Sequence, residues 1–311
     1  QQSAKTLDVH AIEHALRCAA QEDEQYLNRS GQRYVPRLLE VQAQSALAEH
    51  NAHSSITLGF TQPGQLRNLC WQPHDLAALG ENEVLIDVKA TGLNFRDVMY
   101  ALGLLSDEAI ENGFSGPTLG LEFAGQVAAV GVGVTEFRAG EKVVGFGPAS
   151  FSTRLITSTE TIAHLPGEIS FEAAATIPTT FFTVYYALKH LARLQPGERV
   201  LIHGAAGGVG LAAIQVARLM GAEIFATVGS PSKRDVMKLL GITAIYDSRS
   251  DTFAEDILAD TQGEGVDVVL NSLAGEAINQ NLRVLRPFGR FLELGKRDFY
   301  ENTAVGLRPF R

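Results

Sequence analysis

The amino-acid sequence predicts an α/β protein, a small β-barrel domain followed by a doubly wound parallel sheet with helices on both faces. Between Ile56 and about Leu165, short alternating runs such as EVLIDVKATGLN, FAGQVAAVGVGV and EKVVGFG are separated by glycine-rich turns. Turn signals at intervals of about ten residues suit a compact barrel or sandwich. From Ser170 to about Gly295 the strand-like runs RVLIHG, AEIFATV, AIYD, VDVVLN and RFLELG alternate with helical stretches such as LAAIQVARLMG and SKRDVMKLLG. That alternation is the rhythm of a parallel sheet with crossover helices. A chain of 311 residues is also long enough for two cores.

Ahead of the barrel, residues 7–27 place Val9, Ile12, Leu16 and Ala19 at helical spacing. QYLNRSGQRYVPRLLEV then reads as two strands turning around Asn28–Gly31. The polar stretch QAQSALAEHNAHSS follows as a linker, which puts a boundary near residue 54. Hydrophobic residues make up 45% of the chain and charged ones 20%, which excludes a disordered or fibrous chain. The net charge of −9 repels phosphate backbones, so no nucleic-acid partner is expected. Two cysteines, Cys18 and Cys70, are too few for a disulfide scaffold or a Cys-built zinc site. No signal-peptide core is visible at the N-terminus. The most apolar long stretch, about 205–228, is broken by Gly207, Gly208, Gln215, Arg218 and Glu223, so no membrane partner is expected either. The expected location is a reducing cytoplasm, and Gln1 in place of Met suggests a piece of a longer polypeptide.

The most informative segment is ERVLIHGAAGGVGLAAIQVARLMG. A strand ends at His203, the loop Gly204-Ala205-Ala206-Gly207-Gly208-Val209-Gly210 follows, and a helix begins at once. Glycines let a pyrophosphate approach backbone N–H groups with no Cβ in the way, and the helix N-terminus adds partial positive charge. Its place between a strand and a helix inside a longer βαβ series sets this loop apart from an ordinary glycine turn. An NAD site carries Asp or Glu about 20 residues on, against the ribose 2′-hydroxyl. Here that position is Ser230, in ATVGSPSKRD, with no acid at the strand end. Ser230, Lys233 and Arg234, with Arg249 after the following strand, suit a 2′-phosphate, and NADPH is the expected cofactor.

On GLEFAGQVAAVGVGVTEFRAGEKVVGFG and AAGGVG, residues 56–296 resemble the medium-chain dehydrogenase/reductase superfamily. The resemblance implies a GroES-like barrel domain and a Rossmann nucleotide-binding domain. Its zinc-dependent members place a Cys after an early strand and a His in a Gly-His-Glu motif. This sequence has Asn94-Phe95-Arg96-Asp97 and Gly120-Leu121-Glu122 there, and leucine cannot ligate a metal. No metal site is expected, which leaves the zinc-free branch of quinone and enoyl reductases. Within it, TGLNFRDVMYALG, PTTFFTVYYALKHLARLQPGERVLIHGAAGGVG, VDVVLNSLAG and FGRFLELGKRDFYENTAVGLRPF resemble the enoyl reductase domain of modular polyketide synthases. The expected organisation is a lead-in over 1–54, a GroES-like catalytic domain over 55–168 and a Rossmann NADPH-binding domain over 169–295. Residues 296–311 would begin a return segment that the chain does not complete.

The resemblance implies hydride transfer from NADPH to the β-carbon of an α,β-unsaturated thioester carried on an acyl carrier protein, with neighbouring synthase domains as further partners. It places Asn94, Thr183 and Asn271 near the nicotinamide. Lys296 matches a lysine that donates a proton or stabilises the enolate, with Asp298 close by in sequence, although the carboxylate usually paired with that lysine lies farther downstream. Many members carry a tyrosine that delivers the α-proton two residues after ALG. Leu105 stands there, and leucine has no proton to give. Protonation from the other face, protonation by Lys296 or water, and capture of the enolate by a γ-leaving group to close a cyclopropane all remain open. Tyr100 is a replacement donor or a core-facing aromatic. Residues 283–311 hold seven basic side chains against three acidic ones, a candidate dock for an acidic carrier protein. A stand-alone quinone reductase and a non-catalytic nucleotide-fold scaffold are the competing readings.

Overall fold

The computed structural model describes residues 26–27, 33–34, 54–105, 107–111, 113–250 and 252–306. The chain forms two compact units, residues 1–49 and 50–311. In the first, β1 (Tyr26–Leu27) and β2 (Arg33–Tyr34) pair antiparallel, with Tyr26 opposite Tyr34 and Leu27 opposite Arg33. The two strands flank the Asn28–Gly31 turn signal, which itself lies outside the described residues. The helix expected over 7–27 lies outside the described residues as far as residue 25, and Tyr26–Leu27 are strand. The linker expected over 42–55 lies outside them as far as residue 53, and its last two residues open β3.

The second unit begins with the antiparallel ribbon β3 (Ser54–Phe60) and β4 (Leu69–Asp75). A five-stranded antiparallel sheet follows, built from β5 (Glu83–Thr91), β6 (Glu122–Val130), β7 (Lys142–Phe146), β8 (Arg154–Ser158) and β9 (Ile162–His164) in the order β8-β5-β6-β7-β9. Alternation along β5 and β6 sends Val84, Ile86, Phe123 and Val127 inward, each no more than 1% exposed, onto Val143 and Leu155. A bridge between Thr57 and Ser152 and the bond from Leu58 N–H to the Phe151 carbonyl lay the ribbon against this sheet, giving the expected GroES-like barrel. Helix α1 (Phe95–Ala101) and the short α2 (Asp107–Glu111) lie between β5 and β6.

After α3 (Phe171–Ala174), α4 (Pro178–Tyr185) runs into a π-helical turn over Tyr186–Leu191. Five parallel strands then form a sheet ordered β12-β11-β10-β13-β14: β10 (Arg199–Ile202), β11 (Glu223–Val228), β12 (Ala244–Asp247), β13 (Val266–Asn271) and β14 (Leu285–Glu293). The crossover helices are α5 (Gly208–Leu219), α6 (Pro231–Leu239), α7 (Phe253–Asp260) and α8 (Ala277–Val284), and α9 (Arg297–Tyr300) follows β14. Every residue of β13 is buried, with the apolar run Val268–Leu270 at its centre, as a strand covered on both faces requires. One face packs Val200, Ile202 and Leu270 on Ile214, Val184 and Leu188; the other packs Leu201, Val269 and Phe225 on Phe253 and Ile257. Strand order reverses between β10 and β13, and the carboxyl ends of strands at such a reversal are where ligands bind in this architecture.

Candidate active site

A cavity of about 460 Å³ opens at that reversal. Its walls include Ile202 and His203 at the end of β10, Gly207 and Gly208 at the start of α5, Leu294 after β14, and Phe95 from α1 of the barrel half. Phe95 is 78% exposed, an aromatic held at the mouth of the cavity by the first turn of α1.

The glycine loop lies between the end of β10 and the start of α5. Gly204 turns the chain at φ +60°, a left-handed conformation that favours glycine. A Cβ on Gly210 would lie 2.5 Å from Ala205 Cα, so this glycine is fixed by the close packing of helix on loop. At Gly208 the nearest atom to an added Cβ is a Thr180 methyl carbon at 3.7 Å, which leaves the cavity side open. Gly207 caps α5 with no side chain, and the first N–H groups of a helix have no partner within it. A pyrophosphate fits this cradle.

At the far end, β11 finishes without a carboxylate, and Gly229-Ser230 lead into α6. The Ser230 hydroxyl accepts the Lys233 N–H at 3.4 Å and caps that helix. Arg249 lies over Gly229, its Nε 3.0 Å from where a Cβ would stand. Ser230 and Lys233 therefore lie in the first turn after β11, with Arg249 beside them over Gly229. Arg234 is turned away, its guanidinium donating to the Ile245 carbonyl at 2.5 Å.

On the barrel side, Asn94 donates its amide to Glu122 Oε1 at 2.7 Å, and the Thr179 N–H donates to Glu122 Oε2 at 2.8 Å. Glu122 is buried, and so is Asp97, which accepts the N–H groups of Asn94 (3.0 Å) and Gly120 (2.8 Å). The Thr179 hydroxyl oxygen is buried without a hydrogen-bond partner among the described residues. Thr183 lies half-buried one turn along α4. Asn94, Asp97, Gly120 and Glu122 all belong to this network, and no group of three or more His, Cys, Asp or Glu that could hold a metal ion occurs among the described residues. Tyr100 stacks obliquely on Phe60 with ring centres 5.0 Å apart, beneath Arg96, and lines a separate cavity of about 220 Å³. Burial pulls the Arg96 guanidinium below its usual pKa.

Beneath the cavity floor a chain of polar side chains crosses the parallel sheet. The Thr227 hydroxyl donates to His203 Nδ1 (2.8 Å), His203 Nε2–H donates to Asn281 Oδ1 (2.6 Å), and Asn281 Nδ2 donates to Asn271 Oδ1 (2.9 Å). Asn271 Nδ2 then donates to Glu293 Oε2 at 2.6 Å. Burial lowers the His203 pKa to about 4, which keeps the ring neutral. Partial desolvation raises the Glu293 carboxyl above its usual range, with the like charge of Asp298 adding to it and the bonds from Asn271 and Gly295 opposing it. Lys296 is exposed in the loop just beyond, and its ammonium makes no hydrogen bond or ion pair among the described residues. Asp298 accepts the Gly275 N–H at 3.0 Å and the Thr303 hydroxyl at 3.0 Å. The basic segment is largely paired within the chain: Arg283 with Glu255, Arg286 with Asp267, Arg290 with Glu198 and Arg297 with Glu301. Arg308 and Arg311 lie outside the described residues.

Glu122, Asp97, Thr179, Asn281 and Glu293 are site residues that motif reading passes over. The available signal is a polar side chain inside a run that is otherwise apolar, as in GLEFAG and RFLELG.

A barrel of this kind joined to a parallel sheet, with a glycine cradle at the point of strand reversal, defines an oxidoreductase that uses a nicotinamide cofactor. The family "Alcohol dehydrogenase GroES-like domain" matches residues 80–229, and "Zinc-binding dehydrogenase" matches residues 208–310. The chain is 39% identical over 313 residues to a phenolphthiocerol/phthiocerol polyketide synthase of Mycobacterium tuberculosis, covering 96% of this chain and 14% of that protein. Among solved structures, the CurK enoyl reductase is 48% identical with a TM-score of 0.74, covering 79% of this chain and 76% of that one. The "CurF ER cyclopropanase from curacin A biosynthetic pathway" is 39% identical with a TM-score of 0.71, covering 78% and 74%. The Escherichia coli quinone oxidoreductase complexed with NADPH is 32% identical with a TM-score of 0.69, covering 77% and 73%. The chain belongs to the medium-chain dehydrogenase/reductases, in the family of polyketide synthase enoyl reductase domains.

Proposed function

We propose that this chain is an NADPH-dependent enoyl-thioester reductase acting on an α,β-unsaturated acyl group presented by an acyl carrier protein, as one domain of a larger synthase. The observation that supports this reading is the glycine cradle of Gly204–Gly210 together with an end of β11 that carries no carboxylate, where Ser230 and Lys233 open the next helix and Arg249 lies over Gly229. A carboxylate there would repel a 2′-phosphate, whereas a hydroxyl and two cations suit one. NADPH, when bound, supplies the hydride.

The chain's own residues provide the rest. The N–H groups that open α5 take the pyrophosphate. Asn94, oriented by Glu122, and Thr183 border the nicotinamide end. Phe95 and the apolar walls exclude water, which strengthens each remaining electrostatic contact. Hydride arrives at the β-carbon, the π electrons move onto the thioester oxygen, and the Lys296 ammonium stabilises that charge or gives a proton to the α-carbon. Leu105 withholds the proton that a tyrosine would deliver. With a halide on the γ-carbon, the α-carbon of the enolate displaces it, forming the α–γ bond of a cyclopropane and releasing halide.

Incubation of a carrier-bound enoyl thioester with deuterated NADPH, followed by mass analysis, is expected to show one deuterium at the β-carbon. No transfer, or equal use of NADH, overturns the reading. A γ-chloro substrate separates the two fates of the enolate: a product still holding chlorine rejects ring closure. A parallel quinone assay tests the stand-alone quinone reductase, and an intact chain that oxidises no NADPH favours the scaffold.

A further inference from the structure

We propose that Glu293 is a positioning residue that acts through Asn271 to hold the Lys296 segment against the floor of the cavity. The inference deepens the functional reading above and rests on it for the role of Lys296. Its basis is the hydrogen-bond capacity of Asn271, which the protein exhausts. The Asn271 amide has two donors, taken by the Leu273 carbonyl (2.7 Å) and Glu293 Oε2 (2.6 Å). Its oxygen has two lone pairs, taken by the Leu273 N–H (3.1 Å) and Asn281 Nδ2 (2.9 Å). Asn271 is 0% exposed. A side chain so saturated has nothing left for a ligand. It works as the hub joining the loop after β13 to the loop after β14.

Glu293 completes the junction from the other side. Its second oxygen accepts the Gly295 N–H at 2.6 Å, while the Leu294 N–H donates to the Asn271 carbonyl at 2.9 Å. Asp298 pins the far end of the same segment to Gly275. Lys296 therefore lies between two anchored points. The carboxylates nearest to it in sequence, Glu293 and Asp298, are both engaged with N–H groups, and neither is paired with the ammonium. Behind Asn271, the neutral ring of His203 holds Asn281 in a single orientation, since its Nε2–H must donate to the oxygen whose amide partner already donates to Asn271. This arrangement fixes the backbone of the lysine and leaves its charge free.

Glu293→Gln tests it, because a carboxamide offers one acceptor where two N–H groups need one. In the ligand-free protein, hydrogen exchange in peptides covering 294–298 is expected to accelerate while peptides of β13 keep their protection. With NADPH and a carrier-bound crotonyl thioester, kcat is expected to fall about ten- to a hundredfold, the scale of a small misplacement, with NADPH affinity unchanged. In a Lys296→Met background the same substitution is expected to add no further loss, because both act through one group. Three results overturn the inference: equal slowing of the wild-type and Lys296→Met backgrounds, unchanged exchange at 294–298, or full kcat in Lys296→Met alone. A wild-type chain that reduces no enoyl thioester sinks the functional reading instead, and the exchange comparison still decides whether Glu293 holds the segment.

Discussion

Gly210 and His203 show how far one side chain constrains the nucleotide half. A Cβ at Gly210 would stand 2.5 Å from Ala205 Cα and 2.6 Å from Ala205 C, both backbone atoms that no rotamer change can move. Gly210→Ala must therefore push α5 away from its loop, at a cost of about 1–3 kcal/mol. Gly208→Ala, with only a methyl carbon at 3.7 Å, is expected to leave stability unchanged. Urea unfolding of the two variants checks the contrast, and equal midpoints would refute it. His203 carries a pH signature. Its pKa is about 4 in the folded chain against 6.5 in the reference state, so the unfolded chain takes up its proton first as the pH falls. The stability tied to the neutral ring is complete above about pH 6.5 and is lost on descending toward pH 4, roughly 3 kcal/mol in all. His203→Gln removes that titration. Urea melts between pH 7 and 4 should show a shallower decline in the variant than in the wild type.

On the proposed function, the junctions at the carboxyl ends of β10 and β11 decide which nucleotide the sheet accepts. If Arg249 and Lys233 face a 2′-phosphate, Arg249→Ala should raise the KM for NADPH roughly ten- to a hundredfold, the value of a charge-assisted hydrogen bond. NADH should be little affected, and the penalty should shrink as salt rises because the site is exposed. Matched KM changes for both nucleotides would remove Arg249 from the site. The sequence displays these junctions because their chemistry is local: a glycine that needs φ +60° and a strand end without an acid can each be read within a few residues. Elements of long periodic apolar runs are legible for the same reason, and β10, β11, β13 and α5 fall where the pattern puts them. Other parts of the site leave no local trace. Asn94 meets Glu122 across 28 positions, and Glu122 meets Thr179 across 57. The motif identifies Asn94, but only the fold shows that its amide is held by a buried acid. Asn271 likewise reads as a cofactor neighbour in sequence, while its partners reveal a hub between loops.

Across the whole second unit, Glu122 joins pieces that are distant in sequence. It begins β6 of the barrel, receives the amide of Asn94 beside α1, and receives the Thr179 N–H at the start of α4. The same helix reaches the nucleotide cradle one residue later, where Thr180 faces Gly208. A buried carboxylate is costly unless each oxygen is hydrogen-bonded, and here both are. Glu122→Gln retains the volume but cannot accept from both donors at once, which leaves one buried N–H unpaired at a cost of about 1–3 kcal/mol. The expected outcome is a lower denaturation midpoint together with a kcat reduced more than NADPH affinity, because the seam orients Asn94 and α4 while the pyrophosphate cradle stays intact. Glu122→Ala removes the acceptor for both donors and is expected to cost more on both measures. Single-turnover hydride transfer read beside equilibrium NADPH titration separates the two effects. If affinity and turnover fall in parallel, Glu122 supports the fold without orienting the reacting partners; if turnover falls alone, the carboxylate sets the alignment of barrel and sheet on which hydride transfer depends.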